Sequence, residues 1–336
     1  MEQRRICSRC AMPETPGHIT LDAEGVCNLC RRDENVVKGK SASFFGMDSE
    51  RKIQALKNKL AKRRGGGKYD CAVAVSGGKD SLMALYIAKK ELGLNPLGIF
   101  LDNGFSIPEM YENIQNASDI LNVDLIMFRT NTMKNLFKVM LESRMELYYC
   151  RVCHLLLDKF IKDICLQHDI HLILGGYTKG QSYIAQDELF WIYDLSDRNM
   201  LTLLESHPEF ADLAEMFRNP VGYFAKHYKS IEQISPFKYF DYDEDDIIQL
   251  LKNELKFKVP AYSWPKNSTN CMFNFLAQYL ARKQFGYSQH ETEMSGIVRS
   301  GEMTRERALE TLNSPITRAD LQNVLNIVGV SEEILD

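Results

Sequence analysis

Apolar positions follow two rhythms along the central part of the chain. Short runs that are apolar almost throughout alternate with stretches of helical period. Asp70–Val75 (DCAVAV) and Pro96–Leu101 (PLGIFL) have the near-continuous apolar character of strands covered on both faces. Asp124–Arg129 reads as a third strand, and Ile170–Leu174 (IHLIL), ending at Gly175-Gly176, as a fourth. Between them the pattern predicts four helices. The first runs from the turn after Val75 to about Leu92. The second covers Pro108–Leu121, with its proline in the first turn, where no N–H is missed. A long third covers Thr130–Tyr149 and a fourth Cys153–Asp169. Strands alternating with helices predict an α/β fold with a doubly wound parallel sheet.

The flanks differ. Residues 1–45 hold too few periodic apolar positions to build a core, so a metal is expected to staple them. Residues 49–64 place Ile53, Leu56 and Leu60 at helical spacing, and Gly65-Gly66-Gly67 ends that helix. Its basic residues, Lys57 to Arg64, are either a solvated face or a phosphate-backbone contact. Beyond Leu189 aromatic-rich helices are expected. Pro236–Tyr239 reads as a last short strand, Asp241–Leu255 as an acidic helix, and the remainder as helical. The division that follows is a metal-stapled segment at 1–45, a linker helix at 46–68, an α/β domain at 69–240 and a helical C-terminal region at 241–336.

Composition narrows the class. With 336 residues, 45% hydrophobic and 26% charged, the chain is an ordinary globular protein. This excludes a largely disordered chain, a collagen-like fibre and a small disulfide scaffold. A formal net charge of -4 argues against coating nucleic acid along the whole length, though not against a local basic patch. The opening MEQRRICSRC has no apolar segment, and no apolar run approaches about 18 residues. Neither a secretory signal nor a membrane span is expected, and a cytoplasmic location is. Six of the nine cysteines fall in three C-x-x-C pairs, which points to metal or redox chemistry rather than disulfides.

The sharpest motif is Val75-Ser76-Gly77-Gly78-Lys79-Asp80-Ser81, between a predicted strand and a predicted helix. Glycines let backbone approach an anion, and free N–H groups at the helix start bind phosphate. Lys79 adds a compact cation, Asp80 is a candidate magnesium ligand, and Ser76 and Ser81 offer hydroxyls to phosphate or to the helix cap. Neither the Walker A pattern nor the dinucleotide fingerprint is present. The S-G-G-K-D-S string resembles the PP-loop of ATP pyrophosphatases, the adenine nucleotide alpha hydrolases. That resemblance implies a HUP-like Rossmannoid sheet, ATP and Mg2+ as ligands, and activation of an acceptor oxygen as an adenylate with release of pyrophosphate. The string Phe100-Leu101-Asp102-Asn103-Gly104-Phe105 resembles the family's adenosine-contacting segment. Asp102 is then either a ribose or base contact or an ordinary turn aspartate. Gly175-Gly176-Tyr177-Thr178-Lys179-Gly180-Gln181 is a second ATP or substrate loop, or a surface turn, and Ser235-Pro236-Phe237-Lys238 resembles a late PP-loop segment.

Two cysteine constellations carry further chemistry. Cys7-x2-Cys10 and Cys27-x2-Cys30, sixteen residues apart, supply four thiolates in the pattern structural zinc prefers, a closed zinc ribbon. His18 between them reads as a loop residue. This segment, together with Phe285-Gly286-Tyr287 and Ile297–Glu306, resembles the N-acetyl sugar amidotransferases, which are PP-loop enzymes. The middle departs from them: Tyr148-Tyr149-Cys150-Arg151-Val152-Cys153-His154 with the remote Cys271 resembles the PP-loop tRNA thiolases, in which three cysteines hold a [4Fe-4S] cluster. For Cys150, Cys153 and Cys271 a [4Fe-4S] cluster, a redox or persulfide pair, a second zinc site with His154, and inert thiols all stay open. Cys71 and Cys165 read as packing residues.

Two enzymes and one binding module compete. The first is an ATP-dependent sulfurtransferase fed by sulfide or a sulfur carrier. The second is an amidotransferase that takes ammonia from a glutaminase partner, and the third an ATP-binding module without catalysis. The acceptor, a small molecule or tRNA, is open. The thiolases' G-H-N-x-x-D string is absent, which weakens the tRNA choice. No membrane partner is expected, and a homodimer is the state common in the resembled family.

Overall fold

Side chains alternate across each strand, so a strand apolar at every position needs cover on both faces. The computed structural model, which describes residues 4–37, 49–61, 67–176, 186–240, 242–265 and 270–335, provides that cover. Strands β1 (Cys71–Ala74), β2 (Pro96–Asp102), β3 (Leu125–Arg129), β4 (Leu172–Leu174) and β5 (Glu232–Ile234) form one sheet in the order β3-β2-β1-β4-β5. All neighbours are parallel, with Cys71 opposite Pro96, Ala72 opposite Ile173 and Leu172 opposite Glu232.

The described helices are α1 (Asn28–Val37), α2 (Ser49–Ala61), α3 (Lys79–Tyr86), α4 (Pro108–Leu121), α5 (Thr132–Ser143), α6 (Tyr149–Gln167), α7 (Gln186–Glu205), α8 (Ala214–Arg218), α9 (Pro220–His227), α10 (Glu244–Leu255), α11 (Asn274–Gln284), α12 (Gln289–Arg299), α13 (Arg305–Leu312) and α14 (Arg318–Val328). One sheet face buries Cys71, Val73 and Phe100 under residues of α2, α3, α4 and α10. The other buries Ala72, Ile99 and Ile173 against Cys165 of α6. The doubly wound α/β expectation therefore holds, and Cys71 and Cys165 are fully buried packing residues. A further core joins α5, α6, α11 and α14 around Phe137, Tyr149, Phe273, Leu276 and Val324. Among the described residues no helix is long and apolar enough to cross a membrane.

Four expected elements shift. The long helix over Thr130–Tyr149 is broken: α5 ends at Arg144, whose φ of 55° is left-handed, and α6 starts at Tyr149 rather than Cys153. Tertiary bonds break it. The Tyr148 N–H donates to Ser196 Oγ (2.9 Å), and its hydroxyl accepts from the Gln289 N–H (2.9 Å). The last strand is Glu232–Ile234, whereas Pro236–Lys238 is a 3-10 turn, because proline has no N–H for a ladder. The acidic helix begins at Glu244, with the Asp243 carboxylate accepting from the Asp245 N–H (2.8 Å). In α2 Lys52 is buried and Lys59 pairs with Glu232 (2.6 Å), so part of the basic face is structural. Lys62–Arg64 and the Gly65-Gly66 stop lie outside the described residues.

Phe137 of α5 stands between Phe273 (ring centroids 4.5 Å apart), Phe105 (5.7 Å) and Tyr149 (5.5 Å). Phe137→Ala leaves a cavity there and is expected to cost about 3–5 kcal/mol. A urea titration followed by tryptophan fluorescence checks it, and an unchanged midpoint would contradict the packing described.

Candidate functional site

The loop after β1 owes its shape to one close approach. Gly77 has φ +78°, and a Cβ there would lie 2.5 Å from the Met110 carbonyl oxygen in α4. Only glycine fits both the conformation and the space. Gly78 caps α3 without any side chain taking its first N–H groups, which leaves them for an anion. The Ser81 hydroxyl donates to the Gly78 carbonyl (3.0 Å) and accepts from the Ser76 N–H (3.0 Å), locking the turn. Lys79 Nζ lies 2.9 Å from both oxygens of Asp80 and 3.6 Å from Glu244. Burial works against its charge, but Asp80 and Glu244 outweigh that and hold the ammonium above its ordinary pKa.

A cavity of about 650 Å³ opens over this loop at the carboxyl edge of the sheet, where ligands of such sheets bind. Val75, Ser76, Gly78, Lys79, Asp80 and Ser81 line it, with Phe100 and Gly175 beside them. Gly77 and Asp102 are not in its wall. The Asp102 carboxylate accepts from the Gly104 N–H (2.8 Å) and faces Arg129 (3.6 Å), a bond that an ordinary turn aspartate makes. Its neighbour Asn103 takes the wall position. Lys238 is exposed and outside the wall, whereas Phe237 lines it. Tyr177–Gln181, with Lys179, lie outside the described residues.

The same cavity receives Cys150, Cys153 and Cys271. Cys150 and Cys153 share the first turn of α6, three residues apart and so on one face. Cys271 arrives by a backbone stitch. It bridges Ser106, the Met272 N–H donates to the Phe105 carbonyl (2.7 Å), and the Ile107 N–H to that of Asn270 (3.1 Å). The Asn270 amide then donates to the Ser76 carbonyl (3.0 Å), tying the stitch to the phosphate loop. The Asn103 amide faces Cys153 Sγ at 3.8 Å. Asn103 and Asn270 had no assigned role in the sequence, and their only signal was adjacency to Asp102 and Cys271. All three thiols are half-buried. Burial, with repulsion from neighbouring thiolates, pushes Cys150 up to about 12 and Cys153 well up, and burial pushes Cys271 up to about 11. His154, His290 and Glu293 complete this end of the cavity. Burial lowers both histidines, His290 down to about 4.

The N-terminal quartet is tighter. The sulfurs of Cys7, Cys10, Cys27 and Cys30 all lie within 4.8 Å of one another and all four residues are buried. N–H groups of Arg9 and Cys27 point at Cys7 Sγ (3.4 and 3.2 Å), as they do around thiolates on a metal. Hydrogen bonds from the other thiols lower Cys7 and bring Cys10 to about 7, while Cys27 and Cys30 are correspondingly raised. Four soft donors at this spacing fit one tetrahedral ion. His18 takes no part and stacks on Trp191 (centroids 3.8 Å). Among the described residues no other group of three such ligands comes this close.

Comparison with known proteins adds to the geometry. Residues 70–179 match the phosphoadenosine phosphosulfate reductase domain family, and residues 269–336 the C-terminal domain of LPS biosynthesis protein WbpG-like proteins. The uncharacterized protein MJ1599 of Methanocaldococcus jannaschii is 24% identical over 268 residues, covering 80% of this chain and 81% of that one. Among solved structures the chain is similar to the U34-tRNA thiolase NcsA from Methanococcus maripaludis with its [4Fe-4S] cluster. The identity is 16% and the TM-score 0.36, over 92% of this chain and 88% of that one. NMN synthetase from Francisella tularensis gives 12% and 0.42, over 85% and 98%. The NH3-dependent NAD synthetase from Campylobacter jejuni gives 13% and 0.34, over 62% and 94%. The strand–loop–helix cradle falls inside the segment matched to the phosphoadenosine phosphosulfate reductase domain family, in line with the PP-loop resemblance of S-G-G-K-D-S.

Proposed function

We propose that this chain is an ATP-dependent sulfurtransferase that adenylates an acceptor oxygen and replaces it with sulfur. One observation carries the reading: Cys150, Cys153 and Cys271 line the cavity that the phosphate loop opens into. Their donor set fits a [4Fe-4S] cluster. Three cysteine thiols around one enclosed space are a donor set that could hold such a cluster. Such a cluster would supply an iron without a protein ligand, able to carry sulfide. Zinc at the quartet is the matching proposal for the N-terminus.

The chain's own residues account for the activation step. N–H groups at the start of α3 hold the phosphates, and Asp80 is placed to hold Mg2+. The acceptor oxygen attacks the α-phosphorus and the bond to pyrophosphate breaks. Lys79 neutralises the charge gathering on that leaving group. A sulfur nucleophile then bonds to the activated carbon, and AMP carries the former acceptor oxygen away. Adenylation is needed because a bare oxygen leaves poorly.

Nitrogen transfer is the second reading, an amidotransferase with ammonia from a glutaminase partner. The resemblance at both ends and the WbpG-like match at 269–336 favour it. The activation step is the same and only the nucleophile differs. Mass analysis of acceptors after incubation with ATP and either sulfide or ammonium separates the two.

Two variants test the proposal. Anaerobically purified chain is expected to hold about four irons with matching sulfide, and Cys271→Ser to lose that iron while ATP affinity stays. Iron content equal in both would remove the trio from cluster binding. Asp80→Ala is expected to slow pyrophosphate release about 100-fold or more while both metal contents stay. Release at the wild-type rate would take Asp80 out of the activation step.

A further inference from the structure

We infer that the N-terminal cysteine segment braces the cysteine cavity from behind the residues that line it, and that Arg305 is the positioning residue that seats it there. Arg305 Nε donates to the carbonyls of both Cys7 (2.9 Å) and Cys10 (3.1 Å). These belong to two of the four metal-ligand residues, so ligation and docking constrain the same backbone. The adjoining Ala11 N–H donates to the buried Ser295 hydroxyl in α12 (3.1 Å). Arg299, at the end of α12, pairs with Asp33 (2.7 Å) and with Glu188 (2.7 Å), and Arg32 reaches the same glutamate (3.1 Å). The Glu188 side chain has no exposed surface, so this clamp is inside the protein.

What the segment holds is the cavity. Helix α12 also carries His290, Glu293 and Met294, which line the cavity beside the trio. The segment's apolar core, built on Met12, Ile19 and Val26, continues into Tyr148 and Phe285 and packs against Cys150 itself. Tyr148 in turn accepts from the first N–H of α12. The four-thiol site is thus linked to Cys150 by continuous packing and to Glu293 through one helix. Val75 and Leu82, on either side of the phosphate loop, belong to a separate core on the sheet. Seating of the segment is therefore expected to set the trio's shielding more than nucleotide binding.

The thiol measurement stands apart from the sulfurtransferase reading, and only its iron arm rests on that reading. Iron-free, zinc-loaded chain is treated with N-ethylmaleimide, and each cysteine's labelling rate is followed by peptide mass. Arg305→Ala, with zinc retained, is expected to label Cys150 at least about fivefold faster than wild type, as local opening would. Cys10→Ser is expected to do the same by removing the ion. Arg305→Lys keeps a donor and is expected to stay near the wild-type rate. Cys165, on the far sheet face, and ATP affinity by calorimetry are expected within about twofold of wild type throughout. After anaerobic loading with iron and sulfide, Arg305→Ala is expected to show weaker visible cluster absorption. Unchanged Cys150 labelling in Arg305→Ala overturns the inference. So does Cys165 labelling rising in step with loss of ATP binding, which is general unfolding rather than a brace displaced. A wild type that takes up no iron defeats the sulfurtransferase reading while leaving the labelling result to decide this one.

Discussion

The candidate site depends on a stitch of two short backbone segments, 105–107 and 270–272. Two backbone hydrogen bonds and one side-chain bond to Ser76 make Cys271 a neighbour of a loop nearly two hundred residues earlier. So short a pairing is weak by itself. It holds because Phe105 and Phe273 flank it and stack into the aromatic cluster around Phe137. Apolar packing thus fixes where a polar site can form. The loop shows the same logic at Gly77, where α4 presses so close that a side chain has no room.

Much of the fold was legible in the chain because it rests on local pattern. Runs such as DCAVAV need cover on both faces, and α4 begins and ends where Pro108 and Leu121 suggested. The misread places are those where tertiary bonds overrule periodicity. Nothing in the period around Arg144 marks the break between α5 and α6, because its cause lies in Ser196 and Gln289. The site was legible in its residue types and not in its geometry. S-G-G-K-D-S and C-x-x-C announce chemistry, but sequence cannot tell that Asp102 turns back on Gly104 while Asn103 faces the cavity. Asn270 is a sharper case, since its role exists only once the stitch brings it to Ser76.

Charge at the loop follows from the same arrangement. Lys79 is largely buried, and an isolated ammonium there would be costly. Asp80 holds it from the neighbouring position and Glu244 from α10. A polyphosphate entering the cavity meets a cation already balanced by carboxylates, so one carboxylate must give way or take a metal ion of its own. Glu244 is half-exposed and the more distant partner, so yielding costs it less. Asp80, closer and more enclosed, is the one suited to stay and bind a cation with the phosphates.

The five cysteines outside the quartet separate two uses of one residue type. Cys71 and Cys165 have no exposed surface and sit among aliphatic side chains, as a small apolar residue does. Cys150, Cys153 and Cys271 are half-exposed, and what they are exposed to is the cavity above the phosphate loop. Packing alone gives no reason for three thiols from two distant segments to face one space, because alanine or serine would fill that wall as well. Burial raises all three above the ordinary thiol range. A cationic ligand changes that balance by displacing the protons and pairing each thiolate. On the proposed reading, three soft donors around one enclosed space serve as ligands, and their place above the phosphate loop sets what they would hold beside the activated acceptor.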